Sequence, residues 1–167
     1  MEKIEVIRAT PELLAVRWER NIADNPDDSR WLCWRDQYIR YNESGMAHSY
    51  LILAQGIPVG EGTLLFSPAC SAVRGRLKLA DRNAEGITCA NINALRIEKL
   101  WEGIGAVSRM VRLMESDARE MGITTLTIGV EAAETRNLAI YLHWGYTRFL
   151  FSEVEDGELV LYYAKDL

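Results

Sequence analysis

The sequence predicts an α/β fold: a mixed, mostly antiparallel, twisted sheet of six to seven strands with helices on both faces. Three observations predict it. The central stretch Asn91 to Glu131 reads as strand, glycine turn, long helix, strand. Runs with β character flank it on both sides, and the C-terminal pair is joined by an Asp156-Gly157 hairpin signal. Helical stripes with spacings of three and four separate the strands, and such alternation of strands with helices demands a layered sheet.

Taken in order, Lys3 to Ala9 alternates as a first strand. Thr10-Pro11-Glu12 starts a helix with a capping hydroxyl, a proline at the first helical position and an acid in the first turn. That helix carries Leu13, Leu14, Arg17 and Trp18, and Asn25-Pro26-Asp27-Asp28-Ser29 breaks it. A second helix runs from near Ser29 to Gly45, with Trp31, Trp34, Tyr38 and Tyr41 along one side and Arg30, Arg35 and Arg40 interleaved. Such a stripe reads either as core or as the wall of a substrate cleft. On the second reading Trp31, Trp34, Arg35 and Tyr38 are substrate-binding candidates.

His48 to Ala54 and Val59 to Phe66 read as strands around Gly56-Ile57-Pro58. Ser67 to Asn83 is a long connection containing Arg74, Arg76, Lys78 and Arg82. The central strand is Asn91 to Ile97, and the turn is Glu102-Gly103-Ile104-Gly105-Ala106. Val107, Met110, Val111, Met114, Ala118 and Met121 then form one apolar stripe, and Gly122 ends the helix. Ile123 to Val130 is the next strand and Arg136 to Trp144 a short helix stopped by Gly145. Tyr146 to Val154 and Glu158 to Ala164 are the last two strands.

The 167 residues suit one domain spanning 1–167, and 49% apolar with 26% charged residues is the balance of a soluble globular protein. A net charge of −5 argues against a general nucleic-acid face. No apolar run reaches the roughly 20 residues that span a bilayer, and the start Met1-Glu2-Lys3-Ile4-Glu5 is not a signal peptide. Cys33, Cys70 and Cys89 are scattered and odd in number, which fits reduced thiols in a cytoplasmic protein. The histidines, His48 and His143, lack ligand spacing, so no metal site is expected.

Chemistry concentrates at the central turn. Glycines between a strand and a helix present backbone N–H groups where the helix dipole is positive, which makes a seat for an anion. Gly103-x-Gly105 lacks the third glycine of a dinucleotide fingerprint, Ser108 standing there, and no Gly-Lys-Ser/Thr sequence exists for a kinase-like phosphate loop.

The element order and four motifs resemble the GNAT N-acyltransferase superfamily over essentially the whole chain. The family's L-x-V strand is matched by Leu95-Arg96-Ile97, and its R-G-x-G-x-G/A turn by Glu102 to Val107. Its A-R-E-x-G helix end is matched by Ala118 to Gly122, and its N-x-x-A-x-x-L-Y-x-x-x-G-F segment by Glu134 to Tyr146, with Tyr141 and Gly145 in place. Three departures bear on the cofactor, Glu102 standing for Arg or Gln, Val107 for Gly or Ala, and Glu134 for Asn, while Tyr146 replaces the aromatic Phe. A shifted register would put Leu100 at the Arg/Gln position, but the spacing to Gly122 favours the first alignment.

The resemblance implies acetyl-CoA as cofactor. Leu95, Arg96 and Ile97 would pair through their backbones with the pantetheine arm. Backbone groups of Gly103, Ile104, Gly105, Ala106, Val107 and Ser108 would hold the pyrophosphate, with Glu134 or Asn137 beside the cofactor arm. Tyr141 would be the acid that protonates the leaving thiolate. For the base, Glu98 and Glu131 lie near the ends of the two central strands. Asn91 and Asn93, on one strand face, are the alternative as a water relay and substrate-cleft pair. The acceptor expected is a primary amine of a small molecule, with a protein or peptide amine as the alternative. A non-catalytic acyl-CoA-binding regulator on the same fold stays open, and a homodimer is a family-level expectation.

Overall fold

The computed structural model describes residues 3–67, 69–70 and 86–167. Its strands are β1 (Ile4–Arg8), β2 (Ala47–Ala54), β3 (Ile57–Leu65), β4 (Cys89–Ile97), β5 (Thr125–Glu131), β6 (Arg148–Glu155) and β7 (Glu158–Asp166). The α-helices are α1 (Pro11–Asp24), α2 (Arg30–Glu43), α3 (Ala106–Glu120) and α4 (Thr135–His143), and a short 3-10 turn covers Lys99–Trp101. The seven strands form one sheet in the order β1-β2-β3-β4-β5-β7-β6. β4 and β5 pair in parallel, whereas β1/β2, β5/β7 and β6/β7 pair antiparallel. The mixed α/β expectation is therefore correct, and element boundaries differ from it by one to two residues at most ends. The basic run around Arg74, Arg76, Lys78 and Arg82 lies outside the described residues.

The chain divides into two compact units, residues 1–64 with 94–116, and residues 65–93 with 117–167. In the first, α1 starts as the sequence signals: Thr10 Oγ1 accepts from the Leu13 N–H at 3.3 Å and Pro11 opens the helix. β1 lies on β2 from Ile4↔Ala54 to Arg8↔Tyr50. α2 is tied to β2 by a reciprocal pair: Asn42 Nδ2 donates to Ser49 Oγ at 2.8 Å, and the Ser49 N–H donates to Asn42 Oδ1 at 2.8 Å. Trp18, Tyr38, Tyr50, Leu51, Ile52, Met110 and Met114 are buried, so the apolar stripes of α1, α2 and α3 end in core.

The second unit holds the β5-β7-β6 part of the sheet with α4. Its β7 is central, paired with β5 from Thr125↔Asp166 to Glu131↔Val160 and with β6 through a bulge between Phe149 and Phe151. Tyr146, Tyr162, Leu126, Ile128 and Ile123 are its sealed core. The parallel ladder of β4 on β5 runs from Cys89↔Thr125 to Ile92↔Ile128. Two residues later Ala94 takes φ 52°, a left-handed kink inside the strand. No helix among the described residues is long and apolar enough to cross a membrane.

Close packing of β3 against β4 depends on Gly60. A Cβ built there would meet the Arg96 carbonyl oxygen at 2.9 Å and Ile52 Cδ1 at 2.9 Å. The first of these is backbone and cannot swing away. Gly60→Ala is therefore expected to cost about 1–3 kcal/mol by forced overpacking. Thermal unfolding checks it: Tm should fall roughly 2–4 °C for each kcal/mol, and an unchanged Tm would show that β4 shifts freely.

Candidate active site

The first unit assembles an ionic cluster that the sequence did not announce. Glu61 on β3 is 1% exposed, a carboxylate in the core. Its Oε1 accepts from Asn21 Nδ2 at 2.9 Å and from Arg96 Nη1 at 2.8 Å, and its Oε2 is bound by Arg17 Nε. Arg17, itself buried, also donates Nη1 to Glu98 Oε1 at 2.8 Å. Arg20 closes the cluster as a fork on Glu98, through Nε to Oε1 and Nη2 to Oε2, both at 2.8 Å. A buried carboxylate is tolerable only with its lone pairs filled in this way. One signal was available: Gly60-Glu61-Gly62 places an acid inside an otherwise apolar strand.

Glu98, an expected base, is thus engaged by two guanidiniums. The Arg20 hydrogen bond, reinforced by the charges of Arg20 and Arg17, holds its carboxyl below the ordinary value of 4.5. A carboxylate stabilised as its anion is a weak proton acceptor. The other expected base, Glu131, stands exposed at the end of β5 in the second unit.

The glycine turn is built as an open seat. Gly103 (φ 77°) and Gly105 (φ 76°) both adopt left-handed backbone, and α3 begins immediately after them at Ala106. A Cβ on either glycine would meet nothing within 4 Å, so the space above the turn is clear. Ile104 is half exposed (51%) beside them. The first four N–H groups of a helix have no intrahelical partner, and here they belong to the turn and to Val107 and Ser108. Ser108 Oγ accepts from Arg112 Nη1 at 2.7 Å, which brings a cation to the same end of the helix. The acid Glu102 at the head of the turn is exposed, where water screens it.

On β4 neighbouring side chains take opposite environments. Leu95 lies against Gly62, whose built Cβ would also touch Met110 of α3. Arg96 turns toward α1 and α2, its guanidinium carbon 4.7 Å from the Trp31 ring centre and 5.8 Å from that of Trp18. Trp31 meets Trp34 edge-on at 5.2 Å, and both indoles are half-buried. Tyr38 differs from the expected cleft wall: it is 5% exposed and packs on Trp18 at 5.3 Å as a core ring. Arg35 differs too, since its guanidinium is engaged by Glu19 at 3.0 Å and Asp36 at 2.9 Å on the outer surface.

In the second unit Asn91 is 1% exposed and donates to Thr127 Oγ1 at 2.9 Å. Asn93, also buried, donates to Asn91 Oδ1 at 3.4 Å. These amides stitch the β4/β5 ladder, and their burial keeps Asn91 from touching a substrate. Tyr141 on α4 is half-buried against Trp144, ring centres 5.7 Å apart. Burial, with the Glu134 charge adding to it, pushes its phenol up to about 12. Glu134 Oε2 accepts from Asn137 Nδ2 at 3.0 Å, so the two residues expected beside the cofactor arm are partners of each other.

No family model and no curated protein matches the sequence. Solved structures match the architecture over nearly the full chain. A GNAT-family acetyltransferase from Streptococcus pneumoniae superposes with TM-score 0.71 at 13% identity, covering 99% of this chain and 100% of that one. The fold is that of the GNAT acetyltransferases. An IAA acetyltransferase from Bacillus cereus matches at TM-score 0.62 and 15% identity, with 99% of this chain and 100% of that one covered. RimL, a ribosomal L7/L12 alpha-N-protein acetyltransferase in complex with coenzyme A, matches at TM-score 0.67 and 16% identity, with 98% and 94% covered.

Two outcomes follow from the cluster. Glu61→Ala strands the buried Arg17 against its remaining partner and should cost about 3–5 kcal/mol, read as a lower urea midpoint. A loss under 1 kcal/mol would mean that the cluster is solvated. For Glu98 the folded-state pKa lies below the unfolded one, so its stabilisation is complete above about pH 4.5 and is lost as pH falls toward the lower folded value. Glu98→Gln should therefore flatten the stability-against-pH curve in that acid window. An unaltered acid slope would contradict the pairing.

Proposed function

We propose that the chain is an acetyl-CoA-dependent N-acetyltransferase acting on a primary amine of a small molecule. One observation carries the reading: on a GNAT fold, paired left-handed glycines lead directly into the N-terminus of α3, with open space where their Cβ atoms would stand. That cradle fits a pyrophosphate, and a neighbour of the same fold is in complex with coenzyme A. Acetyl-CoA would supply the acyl group as a thioester. Gly103 to Ser108 would hold its diphosphate, and the backbone of Leu95 and Ile97 would align its arm along β4.

The proton inventory assigns roles to this chain's own groups. The amine must be neutral to attack, so one proton leaves it, and the departing thiolate must gain one. Tyr141 suits the second task. A phenol held near 12 keeps its proton throughout the neutral range, so it is present as a hydrogen-bond donor to the departing sulfur. A backbone N–H of β4 near Ile97 would stabilise the oxyanion that develops on the acyl carbon. Glu98, held as an anion by Arg17 and Arg20, is better suited to fixing the end of β4 than to taking the amine's proton. Water is left to carry that proton outward.

A protein N-terminal amine is the second reading, supported by the RimL likeness over 98% of the chain. The half-buried Trp31 and Trp34 on α2 favour the smaller acceptor.

Titration calorimetry with acetyl-CoA, CoA and NAD tests the donor. Micromolar acetyl-CoA binding is expected, abolished by Gly105→Asp, which adds both a Cβ and a like charge. Tyr141→Phe should leave that binding intact and lower kcat by about 10²–10⁴-fold. No binding by the wild type would overturn the reading, and full activity of Tyr141→Phe would remove Tyr141 as the acid.

A further inference from the structure

The side chain of Arg96 has no task in the transfer described above, yet it is the most elaborately placed cation in the first unit. Glu61 holds one corner of it through Nη1 at 2.8 Å, and the Trp31 and Trp18 rings lie at 4.7 and 5.8 Å from its guanidinium carbon. One nitrogen thus fixes its register and the indoles fix its plane. Its Nε and Nη2 have no partner among the described residues, and 32% of the side chain reaches solvent. A guanidinium with an edge left open and its rotamer already immobilised is built for a planar, bidentate anion.

The neighbours of this edge narrow the ligand. Trp31 and Trp34, edge-on at 5.2 Å, offer half-buried aromatic surface next to the cation. Arg30, the other cation near Trp34, is occupied by Asp28 and stands outside, as Arg35 is by Glu19 and Asp36. Arg20 and Arg17 are spent on Glu98 and Glu61. A polyamine acceptor would be repelled at Arg96, whereas a carboxylate would complete it.

Resting on the acetyltransferase reading above, we propose that the acceptor is an amino acid whose carboxylate binds Arg96 and whose apolar or aromatic side chain lies on Trp31 and Trp34. Arg96 stands in Leu95-Arg96-Ile97, the strand along which the thioester arm is proposed to align. A carboxylate seated on this side chain therefore holds the neighbouring α-amine on the Arg96 face of the same strand. Positioning of this kind separates an amino acid from the amine that lacks its carboxylate.

The test compares L-phenylalanine, L-tryptophan and L-leucine with their amides and with phenethylamine, at saturating acetyl-CoA, following CoA release. The acids should exceed their amides by at least about tenfold in kcat/KM, the worth of one charge-assisted hydrogen bond or more. Arg96→Gln should bring the acid-to-amide ratio close to one, and Arg96→Lys should restore part of it. The ratio cancels any loss common to both acceptors, Glu61 keeps Arg17 and Asn21 in either variant, and a thermal melt of each variant verifies that it is folded. Equal use of acids and amides by the wild type overturns the assignment. So does a preference that survives Arg96→Gln, or acetyl-CoA binding with no transfer to any acid. Failure of acetyl-CoA to bind at all, read separately by calorimetry, instead overturns the transferase reading on which the assignment rests.

Discussion

The first unit depends on how the carboxylate of Glu61 is satisfied. A carboxylate at 1% exposure is strongly disfavoured unless both of its oxygens are hydrogen-bonded. Three donors meet it, from α1 (Arg17 and Asn21) and from β4 (Arg96), while Glu61 itself belongs to β3. One side chain thereby fixes the rotation of α1 and the placing of Arg96 on β4. Hydrophobic packing alone would let α1 roll about its axis, since any apolar stripe fits a core approximately. The fork of Arg20 on Glu98 then repeats the constraint at the end of β4.

That constraint explains why Arg96 can be presented with so little freedom. A surface arginine samples many rotamers, and ordering it costs entropy at the moment of binding. Here the ordering is done in folding, by Glu61 on one side and by indole rings on the other. Gly60 contributes as well, because only a residue without Cβ admits the Arg96 carbonyl at 2.9 Å from where that atom would stand.

Much of the fold was legible. Thr10-Pro11, the α3 stripe, Asp156-Gly157 and the Leu95-Arg96-Ile97 strand each carry a local chemical signal, and each element formed where that signal lies. The glycine turn was legible for the same reason: left-handed backbone is a local demand that the sequence answers with glycine at 103 and 105. The ionic cluster was not, because its members are separated by as many as 81 residues, and nothing in the identity of Arg17 or Glu61 states a partner. Periodicity also cannot tell a core ring from a wall. Trp31 and Tyr38 share one stripe of α2, yet one is half-buried beside Arg96 and the other is sealed on Trp18. Asn91 and Asn93 misled in the same way: two amides on an apolar strand resemble a polar cleft, whereas both are buried, Asn91 bonding Thr127 and Asn93 bonding Asn91.

The alternation of β4 divides the labour of the site. In a strand successive side chains point to opposite faces, so Leu95 and Arg96 cannot serve the same neighbour. Leu95 lies with Gly62 and Met110 of the helix whose N-terminus is proposed as the anion seat. Arg96 lies with Glu61, Trp18 and Trp31, on the side of α1 and α2. The donor recognition proposed for this strand needs only backbone and an open glycine turn, features compatible with many sequences. Acceptor recognition needs a particular side chain in a particular plane. Specificity is then expected to reside in α1, α2 and the outward residue of β4, which can change without disturbing the turn. That separation accounts for a glycine turn that keeps both left-handed glycines beside an acceptor side that no pattern in the sequence announces.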